Sequence, residues 1–594
     1  MSAHRIAASV ACLAFVVGCG GGQTQGAAFD GASLDDDTAM ASVQRQLASV
    51  TIPRGADVAV GVFGERSLVG VKLEGGDPWT FVHPLSCRPV LAGDVVVGVG
   101  QNEMFGLDAR TGKLLWTRKV AGCPRGAADD GKTTVVSMRP VNGKGGIVVA
   151  IDREGLVVRQ IQDDANIGVP AIVDGFLFLP WNARYVSAYD LSIGEEVARV
   201  RMPGHVTRAF TVGGALFFGD GAATRFDDRI QRAANGDAST VRLPSRALPD
   251  RPVWMTSGND VAPMKADLPD KVRLYARPEA SGPATIAGGR YAATHGRVAM
   301  GLVATDGSLA WVHAHDATFL GGAAYEGGFA LCDAEGRVTL LDARTGAVAG
   351  SVLLGIPIDA CLVQADAFAK IAPDAPRPLR DQIASAIRLQ QEDAAPIQRF
   401  LLGELAASTD EKATDTLIQL VAERAAPKAL QPDVRAALAS RRLGADAMIA
   451  ALKARYDFLE DAPEGPPVGP LAEALAGMND RRAAPLLAEH LVDPSTPAAD
   501  VERVAAALEK LAGPEELPEL RQFFAAYRSE ESDAPIVLAV THIASALERL
   551  GDAATVTEAA SDPYTSEAVR TKLTADKPTV GRTAPSGGSR SKTR

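Results

Sequence analysis

The sequence predicts a multidomain chain, β first and α second: an eight-bladed β-propeller, with seven blades as the alternative, followed by an α-helical solenoid. Three observations carry this reading. A short turn motif returns about every 39 residues between positions 55 and 368. The alternating apolar pattern of strands then stops at a Pro-rich stretch. Beyond it, apolar residues recur at helical spacing.

In chain order, the first element reads as an export signal. His4 and Arg5 precede an apolar run from Ile6 to Val17 that is too short for a permanent membrane span. It ends in Val16-Val17-Gly18-Cys19, followed by Gly20-Gly21-Gly22. This resembles the bacterial lipobox, in which small residues precede a cysteine that receives acyl chains. The resemblance implies removal of residues 1–18, a diacylglycerol on Cys19, and a membrane anchor without a transmembrane helix. No aspartate follows Cys19, which under that family's sorting rule favours the outer membrane; the periplasmic face is expected, with cell-surface exposure as the alternative. Residues 19–54 are small and polar, with the acidic trio Asp35-Asp36-Asp37, and are expected to form a flexible tether with room for one short helix.

The repeat comes next. Its clearest copies are Leu107-Asp108-Ala109-Arg110-Thr111-Gly112, leading to Trp116, and Leu341-Asp342-Ala343-Arg344-Thr345-Gly346. Weaker copies surround Gly76, Gly155, Gly194 and Gly307. Alternating apolar runs such as Val95-Val96-Val97-Gly98-Val99 flank them, and Gly after Asp or Thr supplies the φ > 0 position of a hairpin. A four-stranded unit of about 40 residues, repeated, describes a propeller blade. The pattern Asp-x-x-Thr-Gly-x-x-x-Trp resembles the quinoprotein-type (PQQ-like) propeller repeat over residues 55–368. The resemblance implies that Asp108, Thr111, Gly112, Asp342, Thr345 and Gly346 order turns, and that Trp79, Trp116 and Trp311 dock on neighbouring blades. The stretch from 225 to 281 carries no good copy.

Register also predicts how the ring closes. Val58-Ala59-Val60-Gly61-Val62 aligns with a second strand, whereas residues 359–367 align with an innermost strand that has no blade of its own. Those residues are expected to complete blade one. Once Cys12 leaves with the signal and Cys19 is lipidated, Cys87, Cys123, Cys332 and Cys361 remain, and in an oxidising compartment these permit three pairings. The strand register selects Cys332–Cys361 across the closure and Cys87–Cys123 between adjacent blades.

Residues 369–378, with Pro373, Pro376 and Pro378, form the linker. From 379 to 575, Val501, Val504, Ala505, Leu508 and Leu511 mark one helix face, with Leu486, Leu487 and Leu491 on a partner helix. Gly444, Gly477, Gly513 and Gly551 are expected at helix ends. This section resembles HEAT repeats, which stack into a solenoid. Residues 576–594 are basic, rich in Gly, Ser and Pro, and expected to be disordered.

Chemistry offered by motif is declined on context. Gly126-Ala127-Ala128-Asp129-Asp130-Gly131-Lys132-Thr133 spells a phosphate loop, but Thr134-Val135-Val136-Ser137 after it reads as a strand where that loop needs a helix. His313 and His315 alternate on an outermost strand and are expected to be solvated, with no firm third ligand for a metal. The propeller family includes dehydrogenases that bind pyrroloquinoline quinone and calcium, yet this chain has no adjacent cysteines, and only Trp181 and Trp254 are unassigned. The net charge of −11 gives no reason to expect a nucleic-acid partner.

The reading is therefore no enzyme, no cofactor, no metal and no small-molecule substrate. It is a lipid-anchored periplasmic scaffold whose partners are other envelope proteins. The chain resembles the propeller lipoproteins of the outer-membrane β-barrel assembly machinery in anchor, compartment and repeat, which implies a role in outer-membrane protein assembly, although those lack the helical domain. A quinone-dependent oxidoreductase and a binder of peptidoglycan or polysaccharide stand as the alternatives.

Overall fold

The computed structural model describes residues 22–25 and 37–575, leaving out 102, 121, 141–143, 203, 220–221, 227–239, 243–272, 280–285, 367–374, 392–393 and 455–465. Residues 1–18, Cys19, most of the Pro-rich linker, Trp254 and the tail 576–594 lie outside the described residues. The chain divides into two compact units, Met1–Leu379 and Arg380–Arg594.

Among the described residues, the first unit holds seven sheets of four antiparallel strands, one of them extended by a fifth strand. Six are continuous in sequence and are called blades two to seven: 90–119, 123–163, 171–201, 208–242, 273–314 and 319–353. Blade one is built from both ends of the unit. Ala360–Gln364 pairs antiparallel with Val58–Phe63, Val60 opposite Leu362, and so becomes its innermost strand. The pairing removes two open sheet edges, as the repeat register requires.

Side chains alternate across each strand, so a blade can offer an apolar face to each neighbour. Val60, Val96, Phe105 and Leu107 fill the gap between blades one and two. Val135, Leu177 and Trp181 fill the gap between three and four.

Among the described residues, two elements precede the first blade strand. Strand β1 (Gly22–Gln25) pairs parallel with Val157–Asp163, the outermost strand of blade three. Helix α1 (Asp37–Leu47) buries Met40 and Val43 against Phe178, Val200 and Phe218 of blades four and five. Where residues 19–54 are described, they are thus fastened to the propeller instead of forming a flexible tether.

The second unit is helical. Ala395–Ala407, Gln431–Ser440, Val468–Met478, Ala498–Leu511 and Ala534–Arg549 contact one another in series, and Ala413–Ala422, Ala445–Lys453, Ala484–Val492 and Leu517–Tyr527 form a second row. The stripe Val501, Val504, Ala505, Leu508 and Leu511 is buried between rows. Ion pairs Arg482–Asp446 (2.8 Å) and Arg521–Asp552 (2.7 Å) link one hairpin to the next. Gly551 takes the left-handed conformation after its helix (φ 92°). Gly477 lies inside Val468–Met478, and the left-handed cap there is Asn479 (φ 56°), whose amide side chain tolerates that region. Gly444 caps the start of Ala445–Lys453, not a helix end, and Gly513 opens a turn of 3-10 helix. No helix among the described residues is long and apolar enough to cross a membrane.

Candidate functional site

The repeat turns are built by one carboxylate each. Asp108 Oδ1 accepts from the amides of Arg110 (3.1 Å) and Thr111 (2.9 Å) and from the Thr111 hydroxyl (2.7 Å). Asp342 does the same for Arg344, Thr345 and the Thr345 hydroxyl. Gly112 and Gly346 follow at φ 70° and 66°. These two turns each receive a tryptophan from the preceding blade. Trp79 Nε1 donates to Ala109 O at 3.0 Å beneath Gly112, and Trp311 Nε1 donates to Ala343 O at 2.9 Å beneath Gly346. Trp116 packs under Gly155, but the turn Asp152–Gly155 is one residue shorter and the buried Trp116 Nε1 finds no partner among the described residues. At blade four's turn the Arg159 guanidinium fills the place under Gly194 that tryptophan takes elsewhere.

These turns share one face of the propeller with the turns between first and second strands. The opposite face carries the cysteines. Cys87 is disulfide-bonded to Cys123 (Cα–Cα 5.6 Å) and Cys332 to Cys361 (Cα–Cα 6.4 Å). The second bridge ties blade seven to the closing strand. On the same face, the exposed apolar side chains of Phe63 (49%), Val82 (75%) and Leu353 (57%) end strands of blades one and seven. Phe63 and Val82 both lie opposite Ser67, in one row of the sheet.

The histidine pair is not solvated. His315 is buried, its Nε2 2.6 Å from Asp333 Oδ2 of blade seven, and its ring stacks on Phe319. Burial pushes the Asp333 carboxyl up, but the hydrogen bonds from His315 and the Arg337 amide outweigh it and leave Asp333 below the usual carboxylate range. His313 lies beside His315, and its Nε2 has no hydrogen-bond partner among the described residues. Burial, reinforced by His315, lowers His313 to about 4. Sequence reasoning missed this because the cover comes from the next blade. No group of three or more His, Cys, Asp or Glu that could hold a metal occurs among the described residues.

The phosphate-loop spelling falls on a hairpin. Cys123–Asp129 and Thr133–Arg139 are antiparallel neighbours, and no helix follows. The amides that would face phosphate already bond the chain's own carboxylates: Gly131 to Asp129, and Lys132 and Thr133 to Asp130. Burial raises Asp129 to about 6 against the pull of Arg153, 2.7 Å away.

At the propeller axis, Gln364 donates to Gly93 O (2.8 Å) and Ala56 O (3.2 Å). Asp366 accepts from the Gly213 amide (2.8 Å) and pairs with Arg277 (3.3 Å). The cavity left there, lined by Ala92, Asp129, Phe210 and Gln364 among others, measures about 60 Å³. Trp181 belongs to the blade core, stacked on Tyr185 and donating to Ser187 Oγ at 2.9 Å. In the helical unit a groove of about 1170 Å³ is lined by Lys428, Arg435, Asp493, Asp500 and Arg503 among others.

Residues 73–199 match the PQQ-like family model described as outer membrane protein assembly factor BamB. That stretch carries the PQQ-like repeat, and the repeat turns at Asp108, Asp152 and Asp190 all fall within it. Similar solved structures include BamB from Moraxella catarrhalis, at 16% identity over 52% of this chain and 85% of that one, TM-score 0.29. Another is dihydro-heme d1 dehydrogenase NirN in complex with DHE, at 12% identity over 52% and 66%, TM-score 0.29. A computationally designed protein, Ika8, matches at 12% identity over 54% and 93%, TM-score 0.30. No curated protein sequence matches the chain.

Proposed function

We propose that this protein is an outer-membrane lipoprotein on the periplasmic face, anchored through Cys19, and that it serves as a non-catalytic scaffold in outer-membrane protein assembly. The observation that carries the reading is the match of residues 73–199 to a family whose description is an assembly factor. The apolar group Phe63, Val82 and Leu353 supports it, because exposed apolar side chains gathered on one face suit a protein partner. The ring reads as seven-bladed from the seven four-stranded sheets among the described residues, and Asp366 supports it by holding Gly213 of blade five and pairing with Arg277 of blade six near the axis. The helical unit is a HEAT-like solenoid whose groove offers a second partner surface.

The size of the axial cavity speaks against the oxidoreductase reading. About 60 Å³ compares with the roughly 300–1,000 Å³ typical of pockets that enclose small molecules.

A photocrosslinking residue at Val82 in intact cells tests the scaffold reading. It should give an adduct with an outer-membrane assembly protein, and Phe63→Ser/Leu353→Ser should abolish it. Val82 adducts only with unrelated proteins, or none, would overturn the reading. The anchor has its own test: Cys19→Ser should yield an unlipidated precursor that leaves the membrane fraction.

A further inference from the structure

Three features of the turn face converge on blade three. The first is chain connectivity. Strand β1 starts beside Arg159, near the beginning of Val157–Asp163, and runs parallel to it, so the chain comes in from the side of the turn at Asp152–Leu156. Cys19 lies three residue steps before Gly22, with Gly20 and Gly21 between them. At about 3.3–3.6 Å per step the three steps reach no further than about 11 Å.

The second feature is exposure. The turns ahead of the outermost strands of blades two, three and four each present one exposed apolar residue: Leu114 (45%), Leu156 (62%) and Ile193 (61%). The equivalent turns of blades six and seven, at Asp306–Gly307 and Asp342–Gly346, present no exposed large apolar residue among the described residues. The third is contiguity. The three blades that do so are neighbours, centred on the one that binds β1.

An acyl-modified Cys19 within about 11 Å of this edge leaves the propeller little freedom to turn away from the bilayer. An apolar side chain on each of three adjacent turns then meets the interface instead of water. The geometry points to the propeller resting on the membrane through the turns of blades two, three and four, with Leu114, Leu156 and Ile193 entering the lipid interface. The disulfide face, with Phe63, Val82 and Leu353, is thereby held toward the periplasm. This inference rests on the Cys19 anchor proposed above.

The test uses the full-length lipidated protein reconstituted in phosphatidylethanolamine–phosphatidylglycerol vesicles, with a photocrosslinking residue placed singly at Leu156, Ile193, Val82 or Leu353. Mass spectrometry should find lipid adducts at 156 and 193 at least tenfold above those at 82 and 353. Gln23→Pro/Gln25→Pro breaks the β1 pairing outside the four-stranded blade, and it should cut the adducts at 193 several-fold while the protein stays on the vesicles. If the lipidated wild type did not float with vesicles, the anchor reading itself would fail. If it floated with equal adducts on both faces, or if the proline variant left the adducts unchanged, the orientation proposed here would be overturned.

Discussion

Trp311 donates its indole N–H to the carbonyl oxygen of Ala343, 2.9 Å away, and so fastens blade six to the repeat turn of blade seven. Trp116, the same residue type in the same repeat position, has no such acceptor among the described residues. Trp311→Phe should therefore cost about 1–2 kcal/mol more than Trp116→Phe, because only the first leaves a buried carbonyl unpaired. Urea denaturation of the two variants measures the difference, and equal losses would refute the role given to the bond.

Gly346→Ala should destabilise more than Ala substitutions at open turn glycines. A Cβ there would sit 2.5 Å from Trp311 Cδ2, and φ is already +66°. The same change at Gly131, where nothing lies within 4 Å, should cost only about 1 kcal/mol for its positive φ. Paired thermal melts of the two variants decide it.

Cys332 and Cys361 join the last complete blade to the strand that closes the ring, so Cys332→Ala/Cys361→Ala should lower stability by about 2–4 kcal/mol. Peptide mapping without reduction should recover two bridged pairs, 87–123 and 332–361. Four alkylatable thiols in unfolded, unreduced protein would contradict both.

His313 is held near 4 by burial and by His315, against an ordinary value of 6.5. The unfolded chain therefore binds the proton first as pH falls. The stability due to the neutral ring is complete above pH 6.5 and is lost between pH 6.5 and 4. The wild type should lose about 1–3 kcal/mol across that window beyond whatever His313→Phe loses. Parallel stability-against-pH curves for the two proteins would exclude the effect.

In the helical unit, the buried Arg441 guanidinium donates to the carbonyls of Ala406 (2.9 Å), Ser408 and Asp410 (2.6 Å) and to Thr414 Oγ1 (3.0 Å). Arg441→Met should cost about 2–4 kcal/mol, and Arg441→Lys should recover little, because an ammonium cannot reach a fan of acceptors with planar geometry. Guanidinium denaturation followed by circular dichroism provides the measurement.

The repeat, the turn chemistry and the closing strand were legible in the sequence for a common reason. Asp108 bonds residues two and three positions ahead, and strand register follows from alternation, so both are local properties written in consecutive letters. The closing strand could be placed because Val58–Phe63 lacked an inner neighbour and residues 359–367 lacked a blade. The helical stripe at Val501–Leu511 was readable from its period alone.

Tertiary structure decided everything that depends on what lies across a gap between blades. Alternation put His313 and His315 on a strand, but only the arrival of Asp333 and Phe319 from the next blade buried His315. Arg159 gave no sign of standing where a tryptophan stands in other blades, because that place is defined by Gly194 in the following one. Residues 22–25 and 37–47 are polar enough to read as tether, and the surfaces that hold them, Val157–Asp163 and the Phe178–Phe218 cluster, lie more than a hundred residues away. Period and local hydrogen bonding belong to a single segment of chain. Burial belongs to a pair of segments, and one sequence read along its length does not say which pair will meet.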